Sequence, residues 1–572
     1  MAVTKGVSPA GSPGAAGVSN GSAPSTKLHG RAFYEKIGSP KYIVAPMVDQ
    51  SEFAWRMLTR SYMAPDEASS VLGYTPMLHA RLFSQDAKYR ASHFQCTRSD
   101  ESDVAAGDGS GGAPWLDGNP ALDRPLIVQF CANDPATLLD AARHVAPHCD
   151  AVDLNFGCPQ GIAKRGHYGS FLQEDQDLIH RLVKVLHENL DVPVTAKIRI
   201  LETKEQTLAY AKNVLSAGAS ILTVHGRRRE QKGHLTGLAD WEYIRYLRDN
   251  LPPDTVIFAN GNILQHDNLE ECLRVTGADG VMSAEGNLSD PAIFAGPPAE
   301  GASELRQREY WVGVDGRGGF RLDGMLRRYF DLLYRYAAEK PAPPRRPLFI
   351  PGDDEAWISA YEAEAEAEAA AAVTAAEDDA DDGPARKKRK VAPPPKPAKN
   401  APTNPNFAAV QTHLFHVLRH LVSRHTDVRD MLACCARGDM AAYERILAAV
   451  EYKTAKGLLE YARTRGQSWA DEVERHVQAK KAAFSGAQQR AAAVEKGGAG
   501  AAAEEIDEDS PDSSIATIRR CIRPWWIAQP IVRPLPKEAL AKGSIALSKK
   551  KKGQAKEAET RKEPEAGAAA AV

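Results

Sequence analysis

The sequence lacks the cysteine spacings that staple small secreted domains or hold a zinc ion. Its eight cysteines, Cys96, Cys131, Cys149, Cys158, Cys272, Cys434, Cys435 and Cys521, form no CxxC pair. Reduced thiols in the nucleus or cytoplasm are the simplest reading, and no metal site is expected. No run of about 18 apolar residues occurs, so no membrane span is expected. No GxGxxG fingerprint for a nicotinamide dinucleotide stands between a strand and a helix pattern; the one match, GDGSGG at 107–112, falls within a polar Gly-rich stretch. The first 30 residues are rich in Gly, Ser, Ala and Pro, without an apolar signal core or the arginines of a transit peptide. Residues 1–35 are therefore expected to form a disordered arm. Net charge is nearly absent too, at -2, but it is segregated: Asp353 to Asp382 holds twelve acids and no Lys or Arg, and residues 504–512 add six acids without a base. The remainder is basic, as a partner carrying phosphates requires. A lysine-rich solvated surface is the plainer alternative.

At 572 residues the chain exceeds one compact domain. Short apolar runs recur at 41–47, 69–75, 125–130, 151–155, 194–200, 221–225, 256–260 and 280–284, with helical patterns at 135–147, 175–190, 204–217 and 266–276. Eight β segments alternating with helices predict a parallel sheet closed as a (β/α)₈ TIM barrel over residues 36–300. Residues 97–124, polar and Gly-rich, are expected to form a mobile loop insertion. Beyond residue 295 the pattern turns helical. The stripes Leu326, Tyr329, Phe330, Leu333 and Val410, Leu414, Val417, Leu421 predict one all-α domain from 318–352 and 404–483. Between its halves, residues 353–403 run acidic, basic, then Pro-rich, and are expected to be disordered. Residues 484–572 are expected to be mostly disordered, except a docking segment at 518–534. There "RRCIRPWWIAQPIVRP" interleaves cations with Trp525 and Trp526, which suits RNA or, preferably, docking back on the barrel, since tryptophans are rarely left exposed.

In such barrels reactive groups lie at the C-terminal strand ends. Those ends carry Gln129, Asn155, His225 and Asn260, with Lys197 and Arg199 on one face of the fifth run. Two cations on a strand buried on both faces call for an anion; a structural salt bridge is the alternative. The Gly-containing turns "ANGNI" and "MSAEGNL" after the seventh and eighth runs let backbone N–H groups approach a phosphate. Together these groups suggest flavin mononucleotide (FMN), with Lys197 stabilising the reduced ring and Gln129 pairing with its pyrimidine edge. The stretch "NFGCPQGIAKRGHYGSFL" sends Cys158 onto a loop stiffened by Pro159, with Lys164, Arg165 and His167 facing outward.

With "APMV" (45–48), "AKIR" (196–199), "HGRRREQKG" (225–233), "ADW" (239–241), "ANGNI" (259–263) and "SAEGNLSDP" (283–291), this stretch resembles the tRNA-dihydrouridine synthases, in particular the eukaryotic type acting on D-loop uridines 16 and 17. The resemblance covers roughly residues 36–300, and more loosely the helices to about 480. It implies FMN held by Pro46, Met47, Val48, Gln129, Lys197, His225, Asn260, Gly261, Asn262, Ala284 and Glu285. It implies Cys158 as the proton donor, Asn155, Lys164, Arg165, Arg199 and Arg227 as substrate-binding residues, and NADPH or NADH as the reductant. Two departures stand out: Ala284-Glu285 replaces the family's common Gly-Arg, and Arg228 replaces a more usual Thr.

The thiol suits that role because its ordinary pKa, near 8.5, leaves it protonated at pH 7 yet able to release the proton. An inert buried thiol is the alternative. A uridine within folded tRNA must be flipped out, so a large basic surface is expected on the helical domain, through Arg327, Arg328, Arg419 and Arg424. His413, His416 and His420 read as a solvated basic face rather than a metal site. "PARKKRKV" (384–391) fits a nuclear import receptor, or else a generic RNA-binding patch, giving a nuclear and/or cytoplasmic location. The rivals are a flavin oxidoreductase acting on a free pyrimidine-like metabolite, a non-catalytic RNA-binding protein, and a cysteine-nucleophile transferase.

Overall fold

A computed structural model describes residues 27–64, 67–98, 112–378, 404–479, 482 and 510–541. The sheet strands are β1 (Tyr42–Val44), β2 (Val71–Tyr74), β3 (Leu78–His79), β4 (Leu126–Cys131), β5 (Ala151–Asn155), β6 (Val194–Arg199), β7 (Ala219–His225), β8 (Val256–Asn260) and β9 (Gly280–Ser283). All pair in parallel. β1 pairs with both β2 (Tyr42 opposite Val71) and β9 (Tyr42 opposite Val281), which closes the ring. β2 meets β4 at Gly73–Leu126, and β3 continues the same line along β4 at Leu78–Phe130. Nine segments thus fill eight places of a TIM barrel, and the eight predicted runs are its strands. β4 and β6 are buried along their whole length, as strands with helices outside and a packed barrel inside must be.

Local chemistry sets the helices. Asp134 accepts from the Thr137 N–H and precedes Pro135, starting Pro135–Val145. Thr203 and Gln206 form a reciprocal capping box before Lys204–Ser216. Gly277, at φ +66°, ends Asp267–Thr276. The four expected barrel helices lie where their patterns placed them; Phe53–Arg60 and Trp241–Asn250 were not foreseen.

After the barrel the expectation of helix alone is corrected by an antiparallel hairpin, Tyr310–Val312 with Gly318–Phe320. The helices Leu322–Leu332, Pro405–Val417, Arg419–Arg424 and Met440–Arg463 follow. Both predicted apolar stripes are buried, in a core continuous with the barrel's. The junction is polar as well as apolar. His413 stacks on Trp55 with ring centroids 3.9 Å apart, and its Nε2 lies 3.0 Å from a Glu52 carboxylate oxygen. The solvated histidine face is therefore a misreading: His413 is fully buried, and His420 Nε2 lies 3.3 Å from the Pro530 carbonyl oxygen. Arg327 and Arg328 are not free for RNA either, being paired with Glu451 and Glu309. Arg419 is exposed, and Arg424 pairs with Glu472.

Several segments expected to be disordered carry structure. The arm's end docks on the barrel: Lys27 Nζ donates to the His187 and Leu190 carbonyls, and Gly30–Lys36 is helical. The linker begins as a helix, Ala356–Asp378, whose Tyr361 stacks on Tyr452 and whose Glu362 pairs with Lys456. In the tail, Trp525 and Trp526 are buried. Trp526 packs edge-on against Trp311 and Tyr461, so the docking surface at that point is the hairpin and helices rather than the barrel. The expected import signal at 384–391 lies outside the described residues.

The insertion is the sharpest correction. Its last part, from residue 112, carries Asp117 and Asp123 into the interior. Asp123 accepts from Arg56 Nη2 (2.5 Å), Arg56 Nε (3.0 Å) and Arg60 Nη1 (2.6 Å), while Asp117 accepts from Arg56 Nη2 (2.8 Å). Burial opposes ionisation of Asp123, yet the two guanidinium groups hold its pKa below the ordinary value. A depressed folded-state pKa contributes stability that is present above the unfolded pKa, about 3.9, and is lost as pH falls through the folded value. Asp123→Asn should therefore destabilise by roughly 3–5 kcal/mol at neutral pH and flatten the acid limb of stability against pH. Urea unfolding between pH 3 and 7 checks both; an unchanged midpoint would contradict the pairing.

Candidate active site

Four polar side chains link into one chain toward the barrel mouth. Asp153 on β5 accepts from Thr195 Oγ1 (2.6 Å) and from Gln129 Nε2 (2.8 Å). Gln129 Oε1 accepts from Asn155 Nδ2 (2.8 Å), and Asn155 Oδ1 accepts from the backbone N–H groups of Gly157 (3.1 Å) and Cys158 (2.8 Å). The barrel interior thus fixes the start of the cysteine loop. Asn155, expected to hold substrate, first positions Cys158, with one amide N–H left over. Gln129, expected to face a cofactor, is fully buried and engaged on both sides. Burial pushes the Asp153 carboxyl up to about 6, against the hydrogen bonds from Thr195 and Gln129 and the charge of Lys197.

The loop is held from other directions as well. Arg199 Nε donates to the Gly157 carbonyl (2.7 Å), Lys232 Nζ to the Pro159 carbonyl (2.6 Å), and Ser170 Oγ to the Cys158 carbonyl (2.9 Å). Gly169, at φ +64°, lies so close that a Cβ there would come within 2.8 Å of the Cys158 carbonyl oxygen. Cys158 itself is half-buried beside Cys131, Ala163 and Tyr168. Burial raises its thiol pKa; the Gln160 backbone, Arg199, Lys197 and Lys232 pull the other way. The thiol is therefore protonated at neutral pH and neighboured by cations that stabilise its conjugate base. Lys164 and Arg165 sit exposed on the short helix Gly161–Gly166 beyond it.

Beside this loop opens a cavity of about 1090 Å³, lined by Pro159, Gln160, Arg199, His225, Arg227, Asn260, Gly261, Asn262, Ala284 and Glu285, among others. Lys197 lies behind the lining, donating to Asn260 Oδ1 (3.0 Å). Pro46, Met47 and Val48 follow β1 at the same barrel end; Met47 is buried and Val48 exposed. Arg199, Arg227 and Lys197 form no ion pair with a carboxylate among the described residues. Burial, then repulsion from Arg199, lowers Lys197 to about 8 and Arg227 to about 10, while burial alone lowers Arg199 to about 10. His225 is held well below its ordinary value by burial and then by Arg199, Lys197 and Arg227, so it is neutral. Its Nε2 lies 3.0 Å from Arg227 Nη1, a group that only donates, so the ring proton is on Nδ1. Arg227 also donates to the Gly237 carbonyl and to Asn262 Oδ1 (2.8 Å). Arg227, expected to bind substrate, thus stands among the residues after β7 and β8. Sequence reasoning passed over Asp153, Lys232 and the tail residue Arg533, whose guanidinium meets Glu285 at 2.6 Å. Period two from Asn155 was the available signal for Asp153.

The donor set suits a phosphorylated, polar aromatic cofactor. Buried cations without carboxylate partners call for an anion, and Gly261, at φ +119° with no room for a Cβ against Ala239, brings bare backbone to the cavity floor.

Comparison with known proteins gives one family. The dihydrouridine synthase (Dus) family profile matches residues 43–312. The tRNA-dihydrouridine(16/17) synthase [NAD(P)(+)] of Schizosaccharomyces pombe is 37% identical over 514 residues, 89% of this chain and 92% of that one. The protein of the same name from Saccharomyces cerevisiae is 53% identical over 307 residues, 54% of this chain but 63% of that one, just under two thirds of its length. A human tRNA-dihydrouridine(20a/20b) synthase-like protein is 35% identical over 257 residues, 44% of this chain and 70% of that one. Among solved structures, a mandelate oxidase aligns at 16% identity over 44% of this chain and 67% of that one, with a TM-score of 0.27, too slight a likeness to bear on function.

Because Asn155 ties the Cys158 N–H to the barrel interior, Asn155→Ala should free the loop without unfolding the barrel. Iodoacetamide labelling of Cys158 at pH 8, followed by peptide mass spectrometry, should speed up several-fold in the variant, with an unchanged melting temperature. Equal labelling rates would show that the loop is held by its other anchors alone.

Proposed function

This chain belongs to the dihydrouridine synthase family, and from that premise we propose that it is a flavin-dependent tRNA-dihydrouridine synthase. It reduces the C5=C6 bond of uridines 16 and 17 of the tRNA D-loop, with NADPH or NADH as the reductant. The observation that carries this reading is the half-buried, protonated Cys158 thiol, anchored beside a cavity in which Arg199 and Arg227, unlike Arg533, meet no carboxylate. The names of the two yeast relatives support the substrate and the nicotinamide.

FMN would be held by Lys197 and the amides of Asn260 and Asn262, with His225, Arg227 and the Gly261 backbone toward its phosphate. When bound and reduced it supplies the hydride for uracil C6. The chain's own chemistry is the matching proton. The Cys158 S–H bond breaks as the C5–H bond forms, leaving a thiolate that water reprotonates before the next turnover. Arg199, Lys197 and Lys232 offset the charge that develops on sulfur. Burial keeps the proton on the thiol until substrate arrives, and a hydroxyl in its place is too weak an acid. The remaining Asn155 N–H and the Arg199 guanidinium can meet the uracil's polar edge once the base is flipped out of its stack.

RNA contact falls to cations around the mouth. Lys164 and Arg165 are exposed beyond the cysteine loop, Arg228 is exposed after β7, and Arg419 on the helical region.

Cys158→Ala should keep the flavin absorbance of the purified protein and abolish tRNA dihydrouridine by nucleoside mass spectrometry. Full turnover by the variant would remove the thiol from the mechanism. Lys164→Ala with Arg165→Ala should weaken tRNA binding without touching the flavin, and reduce the slope of log affinity against log salt by roughly 1–2. An unchanged slope would place the RNA backbone elsewhere.

A further inference from the structure

The wall of the cavity on the side of the loops after β8 and β9 is not made by the barrel alone. Residues 510–541 return from the helical region. Trp525 and Trp526 are buried there, and an isolated bridge pairs Ile527 with Arg321. The chain then runs as a strap whose residues Ile531 to Leu535 line the cavity opposite Ala284, Glu285 and Gly286. Beyond it the helix Pro536–Ala541 holds the strap's end, Glu538 accepting from the Leu535 N–H (2.8 Å) and the Ser514 N–H (2.8 Å).

Loops at this end of a barrel form phosphate sites. Here the residue after β9 that faces the cavity is an acid, Glu285, which would repel a phosphate. The strap answers it: Arg533 donates from Nε (3.0 Å) and Nη2 (2.6 Å) to one Glu285 oxygen, Oε1. One carboxylate oxygen takes two of the guanidinium's five N–H groups, which leaves donors for a second anion. Arg227 shares the cavity wall, near enough for Glu285 and Arg533 to perturb its charge.

We propose that Arg533, carried in by the C-terminal strap and braced by Glu285, binds the terminal phosphomonoester of FMN together with Arg227. This rests on the flavin reading above and adds to it a residue about 250 positions beyond the last barrel strand. The strap is then part of the cofactor site, and the barrel without it is incomplete.

The test uses the full-length protein stripped of flavin, titrated with FMN and with riboflavin, which lacks the phosphate, and followed by flavin fluorescence. Arg533→Ala should weaken FMN by roughly ten- to a hundredfold, the scale of a charge-assisted hydrogen bond. Riboflavin affinity should stay within about twofold if only the phosphate contact is lost. Glu285→Gln with Arg533 intact should bind FMN at least as well as the wild type. An FMN affinity unchanged by Arg533→Ala would overturn the proposal. So would an equal loss for riboflavin, because Arg533 would then act only by holding the strap in place. Failure of the wild type itself to bind FMN would instead overturn the flavin reading.

Discussion

Desolvated positive charge at the mouth of the barrel is the constraint around which the rest is arranged. Lys197, Arg199 and Arg227 are largely withdrawn from water and meet carbonyls, amides and an imidazole instead of carboxylates. Removing ions from water without a counter-ion is unfavourable by several kcal/mol per ion. A fold accepts such a cost at a binding site and avoids it in a plain core. The consequences are visible nearby: His225 is kept neutral and Lys197 is shifted toward neutrality. The Cys158 thiolate, once formed, has cations to settle against. The buried acid of the same region, Asp153, accepts hydrogen bonds from Thr195 and Gln129 and forms no ion pair with these cations, though the charge of Lys197 acts on it.

That site needs a rigid surround, and the surround is a single core rather than two. The helical region inserts His413 between Trp55 and the Glu52 carboxylate, and Asn406 Oδ1 takes the Ala54 N–H (2.9 Å) at the start of the barrel's first helix. On the other side of that helix, Arg56 and Arg60 bind the acids of the inserted loop. One short helix, Phe53–Arg60, is thus gripped on opposite sides by segments distant in sequence. Its position fixes the loop after β1 that carries Pro46, Met47 and Val48 to the mouth.

The strands were legible because buried parallel strands are apolar on both faces and read as short runs without alternation. The cysteine loop was legible because a thiol among glycines after such a run has no packing explanation. Other features were hidden for physical reasons. Asp153 sits inside an apolar run and declares itself only through its partners. Glu52 and His413 are 361 residues apart, so no local pattern links them. Asp117 and Asp123 occur in a Gly-rich stretch whose composition says loop, while their burial depends on two arginines upstream. The Ala-Glu repeat from Ala356 read as disordered for its charge, yet Tyr361 and Glu362 give its first turns a surface to dock on. The family resemblance assigned Asn155 to the substrate's edge, and in the fold its side-chain Oδ1 also accepts from the backbone of the loop.

The strap also sets an order of events during synthesis. The last barrel strand ends at Ser283, while the cavity wall is completed by Ile531 to Leu535. At roughly 5–20 residues per second, a ribosome needs about 10–50 s to cover that interval. A barrel emerging first has an open-sided pocket until the strap follows it, so a ligand that needs both walls is held only once Ile531 to Leu535 have been made and have docked.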